Sequence, residues 1–292
     1  MTRYSVRHAT VYEYGGDVSH SHHLLHLIPR EFEFQRCLEH SLALDPQPGS
    51  VREDVDAFGN AIARLEYDRS HDRLAVTAQM QVEIFPRIAD SIESEAWDAV
   101  RDRLSYHAAP MAAADLDACR FRMRSSHVLL KQGFEHYAKD CFGPGRSIAA
   151  ASNELMHKIH REFKYVSGST TNRTSILDVL KSRRGVCQDF AHFMIACARS
   201  TGLAARYVSG YIRTVRKGGK AAIGGDASHA WVSVYCPPLG WLDFDPTNDC
   251  MVGEDHVTLA WGRDFGDVSP LRGMIVGGGR HKLKVDVSVQ PL

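Results

Sequence analysis

The chain has 292 residues, and its 35 Lys and Arg are balanced by 35 Asp and Glu. That balance argues against nucleic acid or a membrane surface as partner, since there is no net basic field to draw in a polyanion. Hydrophobic residues at 44% and charged residues at 24% are globular values, and the length suits one large or two ordinary domains.

No apolar run approaches the ~20 residues of a membrane span. The opening Met1-Thr-Arg-Tyr-Ser-Val lacks a secretory apolar stretch, so a cytoplasmic protein is expected. The seven cysteines (Cys37, Cys119, Cys141, Cys187, Cys197, Cys236, Cys250) are odd in number, scattered and without a CxxC pair. Free thiols are expected, with no disulfide framework, metal site or cofactor.

Residues 1–86 read as an antiparallel, sandwich-like β domain. Tyr4–Tyr14 is rich in β-branched and aromatic residues, and Gly15-Gly16 is expected to end it. Arg36–Leu44, Ala61–Tyr67 and Arg73–Phe85 are further strands, the last expected to be the longest, with a turn at Asp56–Asn60. His20, His22, His23 and His26 invite a metal reading, because His20 and His22 share one strand face. No carboxylate or cysteine stands nearby to complete a site, so solvated or hydrogen-bonded histidines are expected.

Residues 87–150 read as a helical connecting region, with helices over Asp90–Leu104, Ala114–Phe121 and Val128–Tyr137 and a break at Gly143-Pro144-Gly145. The remainder, 151–292, is expected to form the core together with the C-terminal strands. A helix over Ser147–Phe163, capped by Ser147, is followed by a polar loop over Lys164–Thr171 and a short helix over Thr174–Leu180. A tight turn at Gly185 then delivers Cys187 to a helix whose apolar residues Phe190, Ala191, Met194, Ile195 and Ala198 lie on one face. Strands follow at Ala205–Thr214, Ser228–Tyr235, Trp241–Asp245 and His281–Val289, with a Gly/Lys-rich loop over Arg216–Gly225.

A cysteine in phase with a core stripe is ordinarily filler. At a helix N-terminus, though, the partial positive charge and unpaired N–H groups favour a thiolate. The hairpin downstream supplies partners. If its loop is the five residues Cys236–Gly240, Tyr235 faces Trp241, Trp231 faces Asp245, and His229 is Asp245's diagonal neighbour on the same face. Diagonal backbones lie ~7–8 Å apart, within reach of an Asp–His hydrogen bond. A four-residue loop would put the two on opposite faces. Taken alone, His229 is an ordinary strand histidine and Asp245, before Pro246, a turn initiator.

Gly185-Val-Cys187-Gln-Asp189-Phe-Ala-His192, Ala205–Tyr211, Asp226-Ala-Ser-His229-Ala-Trp231 and Gly240-Trp241 to Asp245-Pro-Thr-Asn248 together resemble the bacterial transglutaminase-like proteins. The tail Leu259-Ala-Trp-Gly-Arg263-Asp264 to Asp267-Val-Ser-Pro270 and Gly273 resembles the same group. So do Leu27-Ile-Pro29-Arg30 and Asp56–Asn60, in the manner of the β domain that precedes its core. The likeness covers both ends of the chain and is weakest over 90–145. It is specific for the superfamily and unspecific for the reaction.

The resemblance implies an α+β chain with a papain-like core. Cys187 would be the nucleophile, His229 the general acid and base, and Asp245 the residue that orients His229. The expected substrate is a peptide or protein amide, attacked through a thioacyl intermediate, with hydrolysis favoured over transfer to an amine. The Cys187 N–H, and Tyr165 on the preceding segment, are candidates for holding the oxyanion. Gln188, Trp231, Arg263 and Asp264 are candidates for substrate contacts. For Arg263, Asp264 and Asp267 an internal salt-bridge network is an equal alternative. The rivals for the whole site are a protein-glutamine amine transferase and a binding module with a vestigial thiol.

Overall fold

The computed structural model describes residues 1–87, 93–106, 110–213, 222–223 and 227–292. The first region holds β1 (Thr2–Leu25), β2 (Gln35–Asp45), β3 (Ser50–Val55), β4 (Ala61–Tyr67) and β5 (His71–Ile84). β1 is longer than expected because Gly15 and Gly16 bend it rather than end it. Residues before the bend pair with β5 and those from Ser21 onward pair with β4, with the register shifting between Glu13 and Val18. One strand thus serves two half-sheets, β2-β5-β1 and β1-β4-β3. A Cβ on Gly15 would stand 2.9 Å from the Arg280 carbonyl oxygen, so the close approach at the bend needs glycine.

The connecting helices are α1 (Trp97–Arg103), α2 (Ala113–Cys119) and α3 (Gln132–Ala138). The first begins later than expected: Asp90 and its two successors lie outside the described residues, and 93–96 are not helical. α4 (Ile148–Glu162) is capped as expected by Ser147, whose hydroxyl accepts from the Ala150 N–H at 3.4 Å. The expected loop after it opens with a short strand, β6 (Lys164–Tyr165). α5 (Ile176–Ser182) follows, and then β7 (Arg184–Gly185), which pairs in parallel with β6.

α6 (Cys187–Ser200) is buried from Asp189 to Arg199. It lies against a sheet of β8 (Ala205–Ile212), β9 (His229–Tyr235), β10 (Trp241–Asp245), β11 (Cys250–Met251) and β12 (His256–Gly262), in the order β11-β10-β9-β8-β12. β8 and β9 are buried at every position; their apolar residues are sealed between α6 and the neighbouring elements, which accounts for their near-continuous hydrophobicity. The predicted loop over Arg216–Gly225 lies outside the described residues except for 222 and 223. A short helix, α7 (Phe265–Val268), leads into β13 (Leu271–Gly277) and β14 (His281–Pro291).

These last two strands correct an expectation. Placed with the core from the sequence, they instead pair antiparallel with β1, β13 along its second part and β14 along its first. Alternation reveals a half-buried strand but carries no information about its partner.

The two regions are stitched together by side chains. The Gln35 amide donates to the Thr258 carbonyl and accepts from the Thr258 N–H, both at 2.7 Å. Asn60 does the same with Trp261, donating at 2.8 Å and accepting at 2.9 Å. Two carboxamides thereby occupy backbone groups on the open edge of β12, as a neighbouring strand would. The Trp261 ring is sandwiched between the Arg30 guanidinium at 3.4 Å and that of Arg206 at 3.7 Å.

Candidate active site

Cys187 is the first residue of α6 and is half-buried. Its position is set by Asp189, which reaches back to accept from the Val186 N–H at 2.8 Å and from the Thr170 hydroxyl at 2.6 Å. A Cβ on Gly185 would lie 2.7 Å from the Asp189 carboxylate, so the glycine before the cysteine makes room for the cap. Burial raises the Asp189 pKa, and the two hydrogen bonds act against that shift.

The hairpin has the five-residue connection that the same-face geometry requires. Tyr235 pairs with Trp241 and Val232 with Phe244. His229 and Asp245 meet on one face, with Nε2 and Oδ2 2.7 Å apart and both side chains fully buried. Burial alone would push the His229 pKa down. The Asp245 charge, its hydrogen bond and the Cys187 side chain outweigh burial, so the ring is held protonated above its ordinary value. Asp245 is correspondingly held well below the usual carboxylate range: burial opposes this, and His229 and then His256 drive it. Nε2 serves Asp245, which leaves Nδ1 of His229, buried and otherwise unpartnered, as the nitrogen available to the thiol.

Asp245 both initiates a turn and holds a histidine. Its Oδ1 accepts from the Thr247 and Asn248 N–H groups at 2.9 and 3.1 Å. Its Oδ2 accepts from the Asn248 amide at 2.9 Å and faces a second histidine, His256 Nε2, at 3.3 Å. Neither Asn248 nor His256 was singled out from the sequence. His256 comes from β12 and reaches Asp245 past β8, where Gly210 leaves the way open. A Cβ there would stand 2.1 Å from the Val257 oxygen and 2.5 Å from the Trp231 ring. The only signal in the sequence was that glycine within a strand.

Of the further candidates, Tyr165 lies on β6 beside Gly185, half-buried and edge-on to Phe190. Gln188, also half-buried, approaches Asn172 at 3.5 Å. Trp231 does not line an open cleft: it is fully enclosed, packs edge-on against His256 with ring centroids 5.3 Å apart, and directs its N–H to Asp243 at 3.3 Å. Arg263 and Asp264 serve the tail. Arg263 grips Asp267 through two bonds at 2.9 and 3.0 Å, while the buried Asp264 caps α7 by accepting from Gly266 and also accepts from the His127 N–H, each at 2.8 Å. Those contacts form an internal network, the alternative reading for Arg263, Asp264 and Asp267.

In the histidine cluster, His23 bonds Ser21 at 3.0 Å, and His26 bonds Asp56 and the Ser269 carbonyl at 3.2 Å. His20 and His22 stand exposed on the outer face. Donor atoms of His229, Asp245 and His256 lie within 4.8 Å of one another. That spacing follows from both rings bonding one carboxylate, so no metal is needed to explain it.

Residues 4–83 match the bacterial transglutaminase-like N-terminal region, and residues 135–246 match the transglutaminase-like superfamily. An uncharacterised protein of Mycobacterium tuberculosis is 36% identical over 296 residues, covering 98% of this chain and 91% of its own length. The chain belongs to the bacterial transglutaminase-like family.

An uncharacterised family relative from Mycobacterium leprae is 31% identical over 299 residues, with both chains covered in full. A protein-glutamine gamma-glutamyltransferase of Pseudomonas aeruginosa is 33% identical over 97 residues, covering 30% of this chain and 14% of that enzyme. Among solved structures, a Cytophaga hutchinsonii protein provisionally described as a cysteine protease shares the fold, with a TM-score of 0.76, 20% identity, and 100% and 91% of the two chains covered. The α+β, papain-like transglutaminase fold with its preceding β region is thereby shown. The superfamily match ends at residue 246, so Cys187, His229 and Asp245 fall inside it and His256 outside. Among the described residues, no helix is long and apolar enough to cross a membrane.

Proposed function

We propose that this chain is a thiol enzyme that cleaves amide or peptide bonds through a thioacyl intermediate on Cys187. The observation that carries the reading is the buried His229–Asp245 pair, 2.7 Å apart, beside a cysteine at a helix N-terminus. Asp245 fixes the ring and stabilises its charged form, so that a thiolate on Cys187 faces an imidazolium. The thiolate attacks the carbonyl carbon, and the Cys187 N–H and the β6 segment near Tyr165 hold the oxyanion. His229 gives its proton to the departing amine as the C–N bond breaks, leaving a thioester. Water then attacks with its proton passing to His229, and the acid leaves as the thiolate is restored.

Hydrolysis is favoured because water is always present as an acceptor, while an amine acceptor must be bound and oriented. The Pseudomonas aeruginosa relative supports a second reading, transfer of a glutamine acyl group to an amine. The vestigial-module reading has less support, because the buried His229–Asp245 pair keeps its hydrogen bond and leaves the second His229 nitrogen for the thiol.

The test is mass spectrometry of products from glutamine-containing peptides incubated with the full chain and a primary amine. The expected result is predominantly hydrolysed product, absent with C187A. Predominantly amine-conjugated product would replace the hydrolytic reading with the transferase one, and turnover by C187A would overturn the thiol mechanism.

A further inference from the structure

The outer face of the half-sheet β3-β4-β1-β13 carries a row of arginines with few internal contacts. Arg52 on β3 pairs directly with Arg64 on β4, Arg64 with Leu24 on β1, and Leu24 with Arg272 on β13. The register therefore sets Arg52, Arg64, Leu24 and Arg272 in one line across four strands, all on the outer face. All three arginines are exposed. With His22, Glu66 and Met274 from the adjacent row they line a shallow hollow of about 510 Å³.

Like charges placed directly opposite each other destabilise a sheet, and here Arg52 faces Arg64. The neighbouring acids do little to relieve this. Asp54 comes no closer to Arg64 than 4.0 Å, and Glu66 sits 3.9 Å from His22. Among the described residues neither Arg52 nor Arg272 has an ion-pair partner, and Arg272 donates only to the Gly266 carbonyl at 2.7 Å. By contrast, Arg263 and Arg120, at the adjoining edge, are already paired with Asp267 and Asp117. The chain as a whole is neutral, so this concentration of weakly paired cations is local.

We propose that this row is a docking site for an extended acidic peptide segment of a partner protein. Three strand spacings set the ends of the row about 14 Å apart, which four to five extended residues span. The arginine forks suit carboxylates in bidentate geometry. Leu24 and Met274 between them supply apolar contacts suited to side chains that alternate with the acids, which a phosphate backbone lacks. No residue of the row belongs to the cluster around Cys187, so the site stands independently of the catalytic reading.

The experiment is fluorescence anisotropy of a labelled Glu-Leu-Glu-Leu-Glu peptide titrated with the full chain, alongside Lys-Leu-Lys-Leu-Lys and a short oligothymidylate. The acidic peptide is expected to bind saturably, to weaken as salt is raised, and to lose at least about tenfold in affinity in R52Q/R64Q/R272Q. A melting curve of that variant confirms folding. C187A is expected to bind as the wild type does; if C187A and wild type both bind while the amide assay shows no turnover, the catalytic reading fails and this one stands. Equal affinity in the triple variant, no saturable binding by the wild type, or tighter binding of the oligothymidylate would overturn the proposal.

Discussion

Asp245 accepts from five donors, two backbone N–H groups, the Asn248 amide and the rings of His229 and His256. A carboxylate so held cannot rotate away from His229 without leaving several buried donors unpaired. D245N therefore has a defined expected outcome: a folded protein whose kcat falls by about 10⁴, the scale seen when an orienting aspartate elsewhere is neutralised. Wild-type rates would remove Asp245 from the mechanism.

On the proposed mechanism His256 acts through Asp245, as a positioning residue. H256Q is expected to lower kcat by about tenfold with KM unchanged and to displace the pH profile of kcat/KM, which a merely structural residue would not do. The pair also leaves a signature in stability. The His229 pKa is raised to about 10, so its stabilisation is complete below the ordinary value near 6.5 and is lost as pH rises toward 10. Between pH 6.5 and 8.5 the wild type should lose stability relative to H229Q, which equal slopes in denaturant titrations would contradict.

At this scale the sequence was legible where chemistry and parity combined. His229 and Asp245 could be set on one face on paper because a two-residue period and a loop length decide which face each occupies, and the family resemblance joined Cys187 to them. His256 could not, since its strand is separated from β9 by β8 and no local pattern carries strand order.

At the scale of elements, β12 is the strand that both regions hold. Gly210 lets His256 and Trp231 meet beneath it, and the Gln35 and Asn60 amides cover its edge. G210A must push against a backbone oxygen and an enclosed ring, and is expected to cost about 1–3 kcal/mol. An unchanged melting temperature would show that the packing there is looser than described. Replacing Asn60 with Ala removes its hydrogen bonds to the Trp261 backbone groups and the Arg30 guanidinium, for an expected loss of about 1–3 kcal/mol.

Elements with caps or clean alternation were readable: the Ser147 cap of α4, β4 and β10 all lie where the residues put them. β3 was missed because its six residues are nearly all exposed, with no apolar face to mark it. The bend in β1 was read as its end, because a double glycine is a stop signal unless a second strand follows it around the corner, and here β13 and β14 do so.

At the scale of the whole molecule, the N-terminal sheet and the core share one hydrophobic interior, so a single cooperative unfolding transition is expected in calorimetry. Acid should weaken it. His8 accepts or donates across the junction to the Tyr211 hydroxyl at 2.8 Å, and burial pushes its pKa down to about 4. Burial likewise lowers His23 to about 4, and His192 to about 3. Each lowered histidine takes up its proton in the unfolded chain first, so stability falls as pH drops from about 6.5 toward 4, by up to about 1.4 kcal/mol per pH unit for each. H8Q should show a shallower acid limb; an identical limb would mean that the junction does not sense this proton.

The claim on which the functional account rests is a covalent acyl group on Cys187. Intact-mass spectrometry after rapid acid quench of the chain with a peptide-amide library measures it directly. The account predicts an acyl adduct that maps to Cys187, is absent in C187A, and accumulates in H229A no faster than in the wild type. An adduct on another cysteine, or turnover of the library with no adduct on Cys187 at any quench time, would contradict it.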